Sequence, residues 1–229
     1  EDYIFDVKYI LDNIDGDGYN IKYKYVYGDD NKVYTTSQYV LHKKSGDYNC
    51  EKNMQSFNRY WIFDNEFMEL IGMWYGDGCV THGKNSYGIL APHSISIVSY
   101  HTNNELIEFV KRTFSSKLGI TSLSVSTDNN GMVQMTVHSK IVATIFKKVF
   151  GSKFSGKQIP DFFNKFSYEH IRYFLAGLAS TDGCLTLLGT IQVQLTNPLL
   201  MTSIFHLARS VGIPVTLTLM HKINCNDRG

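Results

Sequence analysis

Two aspartates, Asp77 and Asp182, close two copies of one pattern. The first copy reads Leu70-Ile71-Gly72-Met73-Trp74-Tyr75-Gly76-Asp77-Gly78. The second reads Leu175-Ala176-Gly177-Leu178-Ala179-Ser180-Thr181-Asp182-Gly183, and a cysteine follows each (Cys79, Cys184). Each nonamer is mostly apolar and holds no helix breaker before its last glycine. Each therefore reads as the end of a buried helix, with Gly78 and Gly183 expected in the left-handed position just past it. A helix C-terminus already carries unpaired carbonyls and partial negative charge, so a carboxylate there is unfavourable by itself. Two such ends brought together become favourable around hard divalent cations, which take oxygen ligands. The chemistry expected is that of Mg²⁺-type ions held by Asp77 and Asp182, with the carbonyls of Gly76 and Thr181 as further ligands. Ions so placed bind a phosphate, activate water and stabilise a leaving oxygen.

The spacing inside the nonamers supplies the means of bringing the two ends together. Gly72 and Gly76 lie four apart on one helical face, as do Gly177 and Thr181. Small residues so placed let two helix backbones approach closely. A lone Asp-Gly reads as a turn, as Asp15-Gly16 and Asp17-Gly18 do here. Repetition after about a hundred residues, with the apolar and small-residue pattern kept, reads instead as a duplicated fold.

The rest of the pattern agrees. Residues 67–77 form the first motif helix. Residues 80–84 and 90–99 read as a hairpin, 103–118 as a helix with Leu106, Ile107, Val110, Phe114 and Leu118 on one face, and 139–150 as another helix. Between the last two, residues 122–126 and 132–138 form a hairpin around Asn129-Asn130-Gly131. The second half repeats the opening: helix 168–182, strands 184–187 and 190–196, helix 198–211, strand 214–220. Its final strand and helix have no counterpart in the sequence given, so the second half is expected to be truncated.

The pair of nonamers resembles the LAGLIDADG homing endonucleases in their single-chain, two-motif form. The likeness is closest to intein-encoded members, of the yeast vacuolar-ATPase intein and mating-type switching type. Gly156-Lys157-Gln158-Ile159-Pro160-Asp161-Phe162-Phe163 is similar to the Lys-x-Ile-Pro segment that precedes motif two there. Leu207-Ala208-Arg209-Ser210-Val211-Gly212-Ile213 is similar to their Leu-Ala-Arg-Ser-Leu-Gly stretch. The resemblance spans residues 65–220. It implies an α+β fold, a pseudo-symmetric pair of αββαββα halves with saddle-shaped antiparallel sheets. The expected divisions are an N-terminal β-rich extension over 1–60, half one over 61–166 and half two over 167–229. It also implies a monomeric site-specific endonuclease that uses Mg²⁺ or Mn²⁺ and cuts double-stranded DNA at a long asymmetric target. Asp77 and Asp182 would each serve one strand across the minor groove, leaving short 3′ overhangs. Lys157 would be the basic group near the attacking water or phosphate. Gln192 and Gln194, alternating on a second-half strand, would read base edges, since Gln pairs well with adenine. At the sixth motif place, where the family name has Asp, this chain has Tyr75 and Ser180. A DNA- or RNA-binding relative without activity, including an RNA maturase, shares the same signature.

Composition limits the alternatives. No apolar run is long enough to span a bilayer, the chain opens on Glu1-Asp2 without a basic start, and the four cysteines lack zinc or disulfide spacing. An intracellular protein is expected, in a nucleus or another DNA-containing compartment. The net charge is only +1, low for a DNA enzyme, yet residues 140–172 hold seven Lys/Arg against two Asp/Glu. That segment, with Lys153, is the expected phosphate-facing stretch. Residues 1–60 suggest strands over 4–10 and 19–27, and residues 48–62 a linker or short helix. Three roles fit this extension: a DNA-contacting arm using Lys22, Lys24, Lys43 and Lys44, a splicing-domain remnant, or a layer packed on the core. Thr36-Ser37-Gln38-Tyr39 has Tyr where a splicing domain has His, so protein splicing is not expected.

Overall fold

The computed structural model describes residues 2–12, 24–36, 55–84, 90–99, 104–152 and 156–218. Two long helices form its axis, α2 (Asn65–Asp77) and α5 (Tyr168–Asp182), each matching a predicted motif helix. Asp64 caps α2 by accepting from the Phe67 amide at 3.0 Å, and its other oxygen pairs with Lys117. Ser167 caps α5, accepting from the His170 amide at 3.4 Å. The side chain of buried His170 then reaches back to Asp2 at 3.2 Å, tying the start of the chain to the second motif helix.

The two helices pack through the small residues picked out in the sequence. A Cβ added at Gly72 would lie 2.0 Å from the Phe174 carbonyl oxygen, and one at Gly177 would lie 1.9 Å from that of Glu69. One at Gly76 would meet Thr181 Oγ1 at 2.0 Å. The backbones touch, and nothing larger than hydrogen fits between them. Gly78 and Gly183 depart from expectation: their φ values are −87° and −96°, in the extended region. Both helices run straight into strands, so no left-handed residue is needed. Glycine is required there because a Cβ would strike the preceding turn, 2.4 Å from the Trp74 carbonyl oxygen or 2.2 Å from that of Ala179.

After α2 come β6 (Gly78–Lys84) and β7 (Leu90–Ser99), then α3 (Asn104–Leu118), β8 (Leu123–Thr127), β9 (Val133–Val137) and α4 (Lys140–Phe150). The four strands make one antiparallel sheet in the order β6-β7-β9-β8. Its apolar face, with Val80, Ile95, Ile97, Met135 and Val137, is buried in one core with Val142, Ile145 and Phe146 of α4. Its other face carries small hydroxyls. After α5 the same order begins again with β10 (Gly183–Leu185), β11 (Ile191–Val193) and α6 (Pro198–Ser210). The α+β architecture expected from the repeat is observed. Residues 214–218 do not form the expected strand; among the described residues they have no strand to pair with, and residues 219–220 lie outside the described residues.

The N-terminal segments pack on this core. β1 (Tyr3–Asp6) pairs antiparallel with β5 (Tyr60–Phe63), which leads directly into α2. β2 (Lys24–Tyr27), β3 (Lys32–Thr36) and β4 (Gln55–Asn58) form a three-stranded sheet. Residues 8–12 are helical (α1, Lys8–Asp12) rather than extended, because Val7 and Leu11, four apart, both enter the core and the Asp6 carboxylate accepts from the Lys8 amide. Residues 55–58 and 60–63 are strands rather than linker. Phe57, Trp61 and Phe63 alternate into the core, and Arg59 between them makes a two-pronged pair with Asp6. Tyr3 stacks on Phe162 at 4.9 Å, so this layer also grips the segment before α5.

Replacing Gly72 with Ala tests the helix contact. The methyl should lower unfolding free energy by about 1–3 kcal/mol through overpacking, although alanine is the better helix former by ~1 kcal/mol. Urea titration reads the difference, and an unchanged or raised midpoint would contradict the close approach.

Candidate active site

α2 and α5 end side by side, and their last residues are the two aspartates. The carboxylate of Asp182 lies close to Gly76, 3.3 Å from where a Cβ would stand there. Both carboxylates are half-buried. Burial pushes Asp77 above the usual carboxylate range, with Lys157 opposing. Burial, and secondly the charge of Asp77, push Asp182 up as well, again against Lys157. Each carboxyl thus holds its proton more tightly in the folded protein, and ionising both near neutral pH is unfavourable without added positive charge.

Lys157 is the surprise of the site. Its side chain is buried, and Nζ donates to the carbonyls of Trp74 at 2.9 Å, Tyr75 at 2.9 Å and Gly76 at 3.0 Å. These carbonyls belong to the last turn of α2, where the helix dipole favours a cation; that of Trp74 also accepts the Gly78 amide. The three acceptors match the three N–H bonds of the ammonium. Nζ also sits 5.0 Å from the centroid of the Trp74 ring. Burial pulls the Lys157 ammonium down to about 8, opposed by Asp182, Cys79 and Asp77. Lys157 therefore joins both aspartates in one charge cluster, with its donors directed at the helix end. The Gly76 carbonyl, expected as a further metal ligand, accepts from this ammonium.

The second helix end is finished differently. Ser180 Oγ donates to the Gly177 carbonyl at 2.7 Å and Thr181 Oγ1 to that of Leu178 at 3.1 Å. Thr181 thus spends its hydroxyl within α5, and only its main-chain carbonyl answers to the ligand role expected of it. The segment carrying Lys157 is held on several sides. Tyr75, fully buried at the sixth motif place, donates its hydroxyl to the Gln158 carbonyl, and the Gln158 amide donates to Phe150 at 3.0 Å. Asn197 donates to the Lys157 carbonyl at 3.1 Å. The sequence reading missed Tyr75 and Asn197. Asn197-Pro198 carried a signal, since Asn followed by Pro reads as a helix cap and first turn.

Beyond the helix ends, the polar face of the first-half sheet starts at Cys79. Cys79 Sγ meets Ser96 Oγ at 3.1 Å, Thr81 bonds Ser94, and Ser124 Oγ meets His138 Nε2 at 2.9 Å. In the second half Cys184 faces Gln192 across β10 and β11. Gln192 is half-buried, and Gln194 is exposed just past the end of β11. Lys24 opens β2; Lys22, Lys43, Lys44 and Lys153 lie outside the described residues.

Among the described residues, no three His, Cys, Asp or Glu side chains converge into a closed metal cage. Two carboxylates are nonetheless a fitting donor set for a Mg²⁺-class ion. Such an ion keeps several waters and completes its shell with substrate phosphate. The raised carboxyls mark negative charge short of a partner, which is what a divalent cation would supply.

Comparison with known proteins agrees with this geometry. Residues 158–227 match the sequence model of a family described as homing endonuclease. The structure of I-DmoI in complex with DNA and Mn superposes with a TM-score of 0.55, covering 70% of this chain and 85% of that one at 15% identity. The chain has the homing endonuclease fold. A substituted I-DmoI, solved with its target DNA in the presence of Mn, gives a TM-score of 0.51 at 14% identity, over 66% of this chain and 77% of that one. A curated relative, a DNA polymerase of Thermococcus hydrothermalis, is 30% identical over 148 residues. That match takes in 63% of this chain but spans only 8% of the polymerase.

The unfavourable ionisation of Asp182 has a measurable consequence. Asp182→Asn should raise the metal-free melting temperature at neutral pH by about 2–4 °C, the effect of ~1 kcal/mol in a domain of this size. Saturating Mg²⁺ should narrow the gap by stabilising only the unsubstituted protein. A lower metal-free melting temperature for the variant would contradict the assigned electrostatics.

Proposed function

We propose that this chain is a metal-dependent, site-specific endonuclease that hydrolyses both strands of double-stranded DNA. The observation that carries the reading is the meeting of two half-buried carboxylates, from equivalent ends of two apposed helices, beside a buried lysine. The family match over residues 158–227 and the fold of I-DmoI support it.

In this reading Asp77 and Asp182 hold Mg²⁺ or Mn²⁺, one carboxylate toward each scissile phosphate. The bound ions supply charge neutralisation on the phosphate and a water of lowered pKa. Asp77 and Asp182 keep their carboxylates fixed because each is the final residue of a packed helix. Gly72, Gly76 and Gly177 set the spacing between them, and so the separation of the two cuts across one minor groove, with short 3′ overhangs. Lys157 holds the end of α2 and adds positive charge beside both carboxylates. Its contribution is electrostatic and positional, since its three N–H bonds are engaged. The exposed Ser124 and His138 on the first sheet and the Cys184–Gln192 face of the second supply small polar groups for groove contact. Many such weak contacts suit a long, asymmetric target. The chain acts as a monomer, because both motif helices belong to it. It is encoded within an intein: the curated match occupies a small part of a much longer polymerase, as expected for a module carried inside a host protein.

Cleavage of a randomised DNA library with Mg²⁺ tests the activity. Discrete double-strand cuts are expected, whereas retained binding with no cutting would leave a DNA-binding relative without activity. Asp77→Asn should abolish double-strand cleavage and keep DNA affinity; full cutting would remove Asp77 from the site. Lys157→Met should slow single-turnover cleavage by up to about a hundredfold, the scale of a displaced catalytic group. An unchanged rate would contradict its role.

A further inference from the structure

Asn197 is a buried polar residue at the start of α6, far in sequence from the first motif. Its Oδ1 accepts from the Leu200 amide at 3.1 Å and caps α6. Ser, Asp and Asn serve equally well as such a cap. Only Asn offers, on the same side chain, an amide donor as well. That donor, Nδ2, meets the main-chain carbonyl of Lys157 at 3.1 Å, and both residues are buried, at 7% exposure each. On the next residue, the Gln158 carbonyl takes the Tyr75 hydroxyl and the Gln158 amide is bonded to Phe150. The stem of Lys157 therefore springs from a backbone fixed from both halves. Tyr75 and Phe150 belong to the first half, and Asn197 belongs to the second.

We infer that Asn197 is a positioning residue for Lys157, linking the second half of the molecule to the end of α2 that carries Asp77. A lysine has a long, flexible stem, and holding its ammonium on three carbonyls requires an anchored starting point. Loss of the Asn197 amide frees the Lys157 carbonyl and lets the stem drift from Trp74, Tyr75 and Gly76. Asn197 itself does not reach the aspartates and acts only through Lys157. The effect reaches both carboxylates, because the Lys157 ammonium lies beside Asp182 as well as Asp77.

Asn197→Asp keeps the cap acceptor and removes the donor, and Asn197→Ser keeps a cap acceptor and replaces the amide by a shorter hydroxyl, without adding charge. Two measurements separate this inference from the endonuclease reading on which its functional consequence rests. The first is acetylation footprinting of the free protein by mass spectrometry, with exposed Lys140 as internal standard. Lys157 should label about tenfold faster in both variants, the change that ~1.4 kcal/mol of lost hydrogen bonding makes, while Lys140 is unchanged. Equal labelling of Lys157 in wild type and both variants would overturn the inference whether or not the protein cuts DNA. The second is strand-resolved single-turnover cleavage. Both strands should be cut about tenfold more slowly, with DNA affinity unaltered. An unchanged rate in both variants would overturn the functional consequence.

Discussion

The structure depends on how closely α2 and α5 approach. Their backbones touch at Gly72 and Gly177, Gly76 meets the Thr181 side chain, and any side chain at those points would push the helices apart. That approach places two carboxylates side by side at the helix ends, where negative charge is already concentrated. The site is thus electrostatically strained by construction, and the surrounding residues can be read as responses to that strain. Lys157 neutralises part of it. In the proposed function the rest would be met by divalent metal, in keeping with functional sites being places where local stability is given up.

The two halves answer the same problem with different chemistry. At the end of α2 the last-turn carbonyls receive an ammonium from a distant, firmly anchored segment. At the end of α5 no ammonium is donated among the described residues, and Ser180 and Thr181 bond back within the helix to the carbonyls of Gly177 and Leu178. A duplicated fold need not keep duplicated interactions. Here the pseudo-symmetry of the backbone is preserved by the glycines, while the side chains that finish each end have diverged. Tyr75 shows the same divergence: it spends its hydroxyl on Gln158, whereas Ser180 at the equivalent place turns back on its own helix.

Much of this was legible in the sequence. Repetition, small-residue spacing and apolar periodicity located the motif helices, the first sheet and the core faces, because each rests on local patterns. The aspartates and Lys157 were identifiable as a set. Their contacts were not, since the hydrogen bonds of Lys157 join residues that only the tertiary fold brings together. Gly78 and Gly183 were assigned the wrong reason for being glycine: sequence shows that a helix stops but not whether the chain turns or continues straight. Residues 8–12 and 55–63 were misread for a related reason. Their apolar residues alternate or step by four depending on what they pack against, and that partner, the aromatic cluster around Phe63, lies outside the local window.

The central claim is that Asp77 and Asp182 share one metal-binding region at the ends of two touching helices. Paramagnetic broadening by Mn²⁺, read on backbone amides of the DNA-free protein, addresses it most directly. The account predicts that the amides of Gly78 and Gly183 broaden together at the lowest Mn²⁺ concentrations, ahead of the rest of the chain. Broadening centred elsewhere, or at one of the two glycines without the other, would contradict it.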